Sequence, residues 1–395
     1  MGLLSGIQKN VVVLGIVSFF TDVSSEMILP IIPIFLTTVL GVGKEIVGLI
    51  EGIADSASSL LDIFVGYFSD KSGNRKKFVF AGYGLSSVSK LGIALANTWP
   101  VFLVFRGVER VGKSIRTAPR DAIIAASSDK SVRGKAFGLH RAMDTMGAII
   151  GPAIAYLILG ALGSGEGAYK TIFYYALIPA FLSVLVFWLF VKEPKVKAIA
   201  KEDISKRPNF WESLRLLSSG YKRFLGISCL FSLAYFSFAF LILRANEIGI
   251  DMQNILLIYI FYNIVYVIFS VPIGQLSDKI GKRNVIIGSF FLYGLIVIGF
   301  AFASSFWDVV LLFAIYAIFV AADESVSKAY ISDITGDKER GIALGAYNTA
   351  VGAVYLPASV IFGALWAVFG AVPAFAVAAA IAAVAGVGMI VYAKE

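Results

Sequence analysis

The chain has 395 residues, 58% hydrophobic and 15% charged, with a formal net charge of +8 and a mean hydropathy of +0.83. A soluble protein of this length carries about 25% charged residues, so a water-soluble globular domain is excluded. Apolar runs of bilayer-spanning length recur along the chain, which predicts an all-α integral membrane protein. The lone cysteine, Cys229, excludes a disulfide framework and a thiolate metal site. Lys and Arg gather in alternate loops, as the positive-inside rule requires, so the positive charge points to a lipid bilayer and not to nucleic acid.

The first nine residues are short and weakly basic, and the run after them is too long and too polar for the core of a cleavable signal. That run covers about residues 10–40, with Pro30 and Pro33 near its far end. The next runs cover about 46–68, 78–96, 101–126 and 136–162, and a sixth extends to 191. Residues 192–219 form the one long hydrophilic stretch, rich in lysine, and divide the chain into 1–191, 192–219 and 220–395. Six further runs follow, giving about twelve spans by hydropathy. The basic loops follow the even-numbered runs, which predicts a multi-pass cell-membrane protein with both termini and the linker in the cytoplasm.

One loop occurs twice. Gly66, Asp70, Lys71, Gly73 and Arg75 fit Gly-x-x-x-Asp-Lys-x-Gly-x-Arg, and Gly274, Asp278, Lys279, Gly281 and Arg283 repeat it after the second run of the second half. Arg133-Gly134-Lys135-Ala136-Phe137-Gly138 at the start of the fifth run is echoed by Arg340-Gly341-Ile342-Ala343-Leu344-Gly345 at the start of the eleventh. Two echoes in register indicate a duplicated bundle, with the copies related by an axis along the membrane normal.

The remaining signal is charge inside the apolar runs, which is costly in lipid and normally faces a cavity. Asp22 and Glu26 are four residues apart and share a helix face, as do His140 and Asp144. Arg106, Arg110, Lys113 and Arg120 fall in one stripe of the fourth run, with Glu109 beside them, and Arg141 lies next to His140. At 1.5 Å per residue, Asp22 lies about 18 Å, Asp144 about 15 Å and Arg110 about 15 Å from the starts of their helices, so the three are expected to meet near the midplane. Asp22 with Glu26 suits proton coupling, because two carboxylates on one face repel unless paired or protonated. The sole histidine, His140, suits proton exchange through its ordinary pKa near 6.5. A plainer reading makes Arg106, Glu109 and Lys113 a static ladder, and Arg116, Arg120, Arg133 and Lys135 headgroup contacts. The second half is expected to supply aromatic walls, including Tyr235, Phe238, Tyr262 and Tyr355. No Ser-His constellation or metal-ligand spacing marks an enzyme, and no cofactor is implied. A channel or a non-transporting receptor finds less support in the duplicated layout.

The doubled loop motif, the layout of six plus six runs and the long linker resemble the major facilitator superfamily (MFS) of secondary transporters. Arg106 with Gly112 is similar to that family's fourth-helix motif, although Arg110 stands where Gly is usual. Gly147, Gly151 and Pro152 resemble the signature of proton-driven antiporters, although Ala155 and Tyr156 replace its later small residues. The resemblance implies two pseudo-symmetric six-helix bundles, a single-chain transporter and a central cavity that alternates between the two sides. It implies that the loop residues latch one conformation, with Asp70 reaching a helix start near Arg340 and Asp278 one near Arg133. The expected function is proton-coupled export of a small anionic or zwitterionic organic solute, with Asp22, Glu26, Asp144 and His140 carrying protons. Arg106, Glu109, Arg110, Lys113 and Arg141 would bind the solute. Import of an organic anion with protons and export of a lipid or other amphiphile are the alternatives.

Overall fold

The computed structural model describes residues 7–72, 74–129, 132–194, 217–336 and 340–392, with side chains 62–64, 66–68, 70, 71 and 341 outside the description. Gly73, the side-chain roles expected of Asp70 and Lys71, the close packing expected at Gly66, and linker residues 195–216 lie outside it too. The helices are α1 Lys9–Ile28, α2 Ile32–Ile34, α3 Lys44–Ser72, α4 Arg75–Leu95, α5 Trp99–Ala126, α6 Arg133–Leu162 and α7 Glu166–Phe190. They continue as α8 Ser219–Ala234, α9 Ala239–Glu247, α10 Met252–Ile280, α11 Lys282–Phe302, α12 Phe306–Ile334, α13 Arg340–Phe369 and α14 Ala371–Tyr392. Among the described residues, 10 helical segments are long and apolar enough to cross a membrane. Helix α5 is not one of them, although its 28 residues span about 42 Å. The charges that the sequence places inside it remove it on composition alone.

The chain divides into two compact units, Met1–Leu40 with Leu60–Lys206, and Gly41–Ser59 with Arg207–Glu395. The division drawn from the hydrophilic linker differs from this one at residues 41–59. In the second unit that segment packs on α13 through small residues. A Cβ added at Gly363 would meet Lys44 O at 2.5 Å, and one at Gly52 would meet Leu356 Cα at 3.0 Å. Ser56 Oγ donates to Gly352 O at 2.7 Å and accepts from Leu356 N–H at 2.9 Å. One hydroxyl thus serves both ends of a ladder step next to Pro357, where the helix lacks a donor.

In the first unit α1 packs between α6 and α7, and α4 packs on α5 and α7. Close crossings set both contacts. A Cβ at Gly147 would meet Phe19 O at 2.6 Å and Asp22 Cβ at 2.9 Å; one at Gly151 would meet Val23 O at 2.6 Å and Glu26 Cβ at 3.1 Å. The Gly-x-x-x-Gly-Pro pattern therefore seats α6 against the turn of α1 that bears both acids. Gly82 and Gly112 do the same for α4 and α5, each facing the other's carbonyl oxygen, at 2.7 and 2.8 Å from an added Cβ.

Two spans are broken. Helix α1 stops before Pro30, and the chain re-forms a short helix and then a π-helical turn over Phe35–Val39. Thr37 Oγ1 donates to Pro33 O at 3.0 Å and Thr38 Oγ1 to Ile34 O at 2.7 Å, which satisfies carbonyls the wide turn would leave open. Helix α8 ends at Ala234 and α9 begins at Ala239. Tyr293 Oη donates to Ala234 O at 2.8 Å, and Ser237 N–H donates to Ser359 Oγ at 3.1 Å.

The loop charges mostly hold helix ends. Glu193 accepts from the backbone N–H of Arg75 at 3.2 Å and of Lys76 at 2.6 Å, an anion on the N-terminus of α4. Arg283 donates to Ile390 O at 2.8 Å at the end of α14. Gly281 has φ +90°, a backbone conformation that favours glycine. Gly274 has open space beside it and Asp278 is exposed. Arg133 donates to Ala125 O at 3.3 Å and Arg340 to Ser332 O at 3.4 Å, each reaching eight residues back to the helix before it. The repeat seen in the sequence is thus a repeat of contacts. Arg244 donates to Phe300 O, Ala301 O and Ala303 O at 2.9–3.3 Å and pairs with Glu247, so this membrane-depth charge caps α11.

Candidate functional site

The first unit gathers its intramembrane charge around one cavity. Twelve residues line it: Asp22, Ser25, Glu26, Ile28 and Leu29 of α1 and its end, Lys90 and Ile93 of α4, and Arg106, Glu109, Arg110, Lys113 and Arg116 of α5. Its volume is about 60 Å³, room for a few waters and too little for an organic solute of ordinary size.

Beside the cavity, Asp144 of α6 faces the stretch of α1 that bears Ser18 and Asp22, where Gly147 seats the two helices together. Ser18 Oγ donates to Asp144 Oδ1 at 2.6 Å, and Arg141 Nη1 lies 3.5 Å from Asp144 Oδ2. Lys113 is within electrostatic range of Asp22. Glu26 lies one turn along α1, where Gly151 holds the backbone of α6 close.

On the other wall Glu109 is the hub. Arg106 Nη1 is 2.9 Å from Glu109 Oε2 and Arg110 Nε is 3.7 Å from it, with all three side chains buried. A buried carboxylate needs such partners, because desolvation alone would make it untenable. The static pair expected as the plainer reading of Arg106 and Glu109 is therefore present, and it forms part of the cavity lining.

Two cavity residues were not among the expected set. Lys90 is 3% exposed, and its Nζ donates to Ser24 Oγ at 2.7 Å and Ser25 Oγ at 2.9 Å. Its signal in the sequence is plain: a lysine in the middle of an apolar run among serines. Arg116 was expected among lipid headgroups. It is 4% exposed, donates to Ser86 Oγ at 2.8 Å and lies over the ring of Tyr83 with its guanidinium carbon 4.7 Å from the centroid. The Gly82–Gly112 crossing draws α4 close enough to enclose it. Arg120, expected in the same place, is partly buried and pairs with Asp121 at 2.9 Å.

His140 is 5% exposed, and its Nε2 has no hydrogen-bond partner among the described residues. It lies in electrostatic range of Arg120, Asp121, Asp144 and Arg141. Arg141 is largely exposed and does not line the cavity. No group of His, Cys, Asp and Glu side chains among the described residues is arranged to hold a metal ion.

The second unit carries the expected aromatic residues as a connected cluster. Phe231 stacks on Phe290 at 3.8 Å and Phe236 on Phe362 at 3.6 Å. Tyr235 reaches Tyr316 through a 3.2 Å hydroxyl contact and packs on Tyr355 at 5.9 Å.

Comparison with known proteins agrees with this architecture. The model of the Major Facilitator Superfamily matches residues 14–262 and 223–395. The chain is 41% identical to the MFS-type transporter MJ1317 of Methanocaldococcus jannaschii over 366 residues, 91% of this chain and 89% of that protein. It is 24% identical to the multidrug resistance protein MdtG of Rahnella, over 74% of this chain and 71% of that protein. Among solved structures, the nucleoside transporter NupG superposes with a TM-score of 0.80 at 14% identity, covering 98% of this chain and 100% of NupG. The D-xylose–proton symporter does so with a TM-score of 0.74 at 17% identity, covering 98% of this chain and 97% of the symporter. This all-helical, multi-pass membrane protein is a transporter, not an enzyme, and it belongs to the Major Facilitator Superfamily.

Proposed function

We propose that this transporter exports a small anionic or zwitterionic organic solute in exchange for protons, working as a monomer in the cell membrane with both termini in the cytoplasm. The observation that carries the reading is the facing of Asp22 and Asp144 across the α1–α6 crossing, beside a cavity lined by five cations. A pair that shares one proton can take up or release charge without leaving a bare carboxylate in the membrane. The cations Lys90, Arg106, Arg110, Lys113 and Arg116 outnumber the lining acids Asp22, Glu26 and Glu109, so a negatively charged group on the solute completes the balance. His140 joins Asp144 on one face of α6 and extends the proton path. The name of the relative MdtG favours export over import. Gly66, Asp70, Gly274 and Asp278 act as the conformational latch of the family, and the linker near residues 192–219 joins the halves.

Reconstituted vesicles test this reading. An outward proton gradient and an inward one are imposed in turn on wild type and on Asp22→Asn. Export coupled to proton entry stops when the gradient is collapsed, and the asparagine variant exchanges solute without responding to the gradient. Solute movement that follows the proton gradient in the same direction identifies the import alternative. Gradient dependence retained in Asp22→Asn removes the pair from the mechanism.

A further inference from the structure

The second unit contains a membrane-depth carboxylate that the transport reading does not use. Asp323 lies on α12, 11 residues before its last residue, Ile334, about 17 Å into the helix from that end. It is half-buried. Its hydrogen bond is a long one, from Ser327 Oγ at 3.4 Å, and no Lys or Arg among the described residues forms an ion pair with it. Exposed Lys328 and neighbouring Glu324 are the charged groups in its electrostatic range. Tyr316 lies seven residues before Asp323 on the same face of α12, its hydroxyl meets that of Tyr235 at 3.2 Å, and Tyr235 packs on Tyr355 at 5.9 Å, so the carboxylate adjoins the tyrosine cluster, with Tyr347 in its electrostatic range and Asp55 in that of Tyr316 and Tyr355.

A second feature points the same way. Tyr235 stands where α8 is broken off inside its span. The C-terminal end of a helix carries partial negative charge, and it is here turned into the unit at the edge of the tyrosine cluster. Helix terminus, carboxylate and aromatic faces all favour a cation, and the faces favour one whose charge is spread over carbon. No buried side chain of this unit is a lysine or arginine among the described residues.

We propose that Asp323, with Tyr235, Tyr316, Tyr347 and Tyr355, forms a subsite for an organic ammonium group. It deepens the transport reading and rests on it for its purpose, since a zwitterionic solute carries such a group. Recognition is by charge and by ring faces, with no covalent step.

The test is calorimetric binding to the purified full chain, using choline, tetraethylammonium and, as the neutral isostere of choline, 3,3-dimethylbutan-1-ol. Both cations bind, and choline binds at least tenfold more tightly than the isostere. Asp323→Asn weakens choline at least tenfold and leaves the isostere unchanged. Tyr355→Leu weakens choline by a comparable factor and Tyr355→Phe does not, which guards against a folding defect in the asparagine variant. The proposal is overturned if neither cation outbinds the isostere, if Asp323→Asn binds choline as wild type does, or if Asp22→Asn abolishes the binding instead. Loss of proton-driven transport with cation binding intact would remove the coupling mechanism and leave this subsite standing.

Discussion

Lys90 and Glu109 do opposite work in the same cavity, and substitutions separate them. Lys90 is held by two serine hydroxyls and, among the described residues, by no carboxylate within bonding distance. Its charge is therefore available to a solute. Lys90→Met keeps the length of the side chain and removes a buried charge, which is neutral or favourable for folding. The expected outcome is a thermal midpoint equal to or above that of wild type, together with a KM for the exported anion raised at least tenfold. Unchanged transport in Lys90→Met would make the lysine a structural tie between α4 and α1. Glu109 is the reverse case. Glu109→Gln takes the carboxylate from Arg106 and Arg110, and breaking a buried pair in this way costs about 3 kcal/mol or more. Chemical denaturation in detergent should show that loss. Both residues stood in apolar runs as legible intramembrane charges, yet the serines that orient Lys90 lie some 65 residues away, and no local pattern announces them.

At the scale of helices, the pairing of α1 with α6 rests on small residues whose spacing the sequence shows and whose partner helix only the structure shows. Gly147 and Gly151 sit four apart and face the turn that bears Asp22 and Glu26. Gly147→Ala puts a methyl group 2.6 Å from Phe19 O and 2.9 Å from Asp22 Cβ, both on the α1 backbone or next to it. The helices must separate, at a cost of about 1–3 kcal/mol, and Asp22 then moves away from Asp144. The variant should melt at lower temperature and lose the gradient dependence of transport while Gly138→Ala, which has open space around it, changes neither. Equal behaviour of the two alanine variants would show that the crossing does not set the placement of Asp22 opposite Asp144. The break between α8 and α9 was not readable. Residues 235–238 are Tyr-Phe-Ser-Phe, with no proline or glycine, so local propensity favours a continuous span. What opens it is tertiary: Tyr293 and Ser359 take up the backbone groups that the missing turn would have paired. The early part of α3 groups by contact with the second unit for a related reason. Residues 41–59 precede the hydrophilic linker, and only their small-residue contacts with α13 show which unit they pack in.

Across the whole chain, buried charge is sorted by sign. The first unit buries Lys90, Arg106, Arg110 and Arg116 with Glu109, whereas the buried acidic or basic side chain of the second among the described residues is Glu51. The internal repeat gave two copies of one helical plan, and Tyr347, Asn348 and Val351 occupy in α13 the places of His140, Arg141 and Asp144 in α6. The two copies therefore differ in kind, with titratable groups in one and aromatic faces with Asp323 in the other. Two chemically opposed sites follow, and each should stabilise the protein through its own ligand by mass action. Succinate should raise the thermal midpoint of wild type and of Asp323→Asn alike, and lose its effect in Lys113→Gln. Choline should raise the midpoint of wild type and of Lys113→Gln, and lose its effect in Asp323→Asn. Effects at independent sites add to within about 0.5 kcal/mol, so the double variant should respond to neither ligand while remaining folded. A single variant that silences both ligands would mean that one site serves both charges, and the sorting of charge between the two copies would then have no bearing on what is carried.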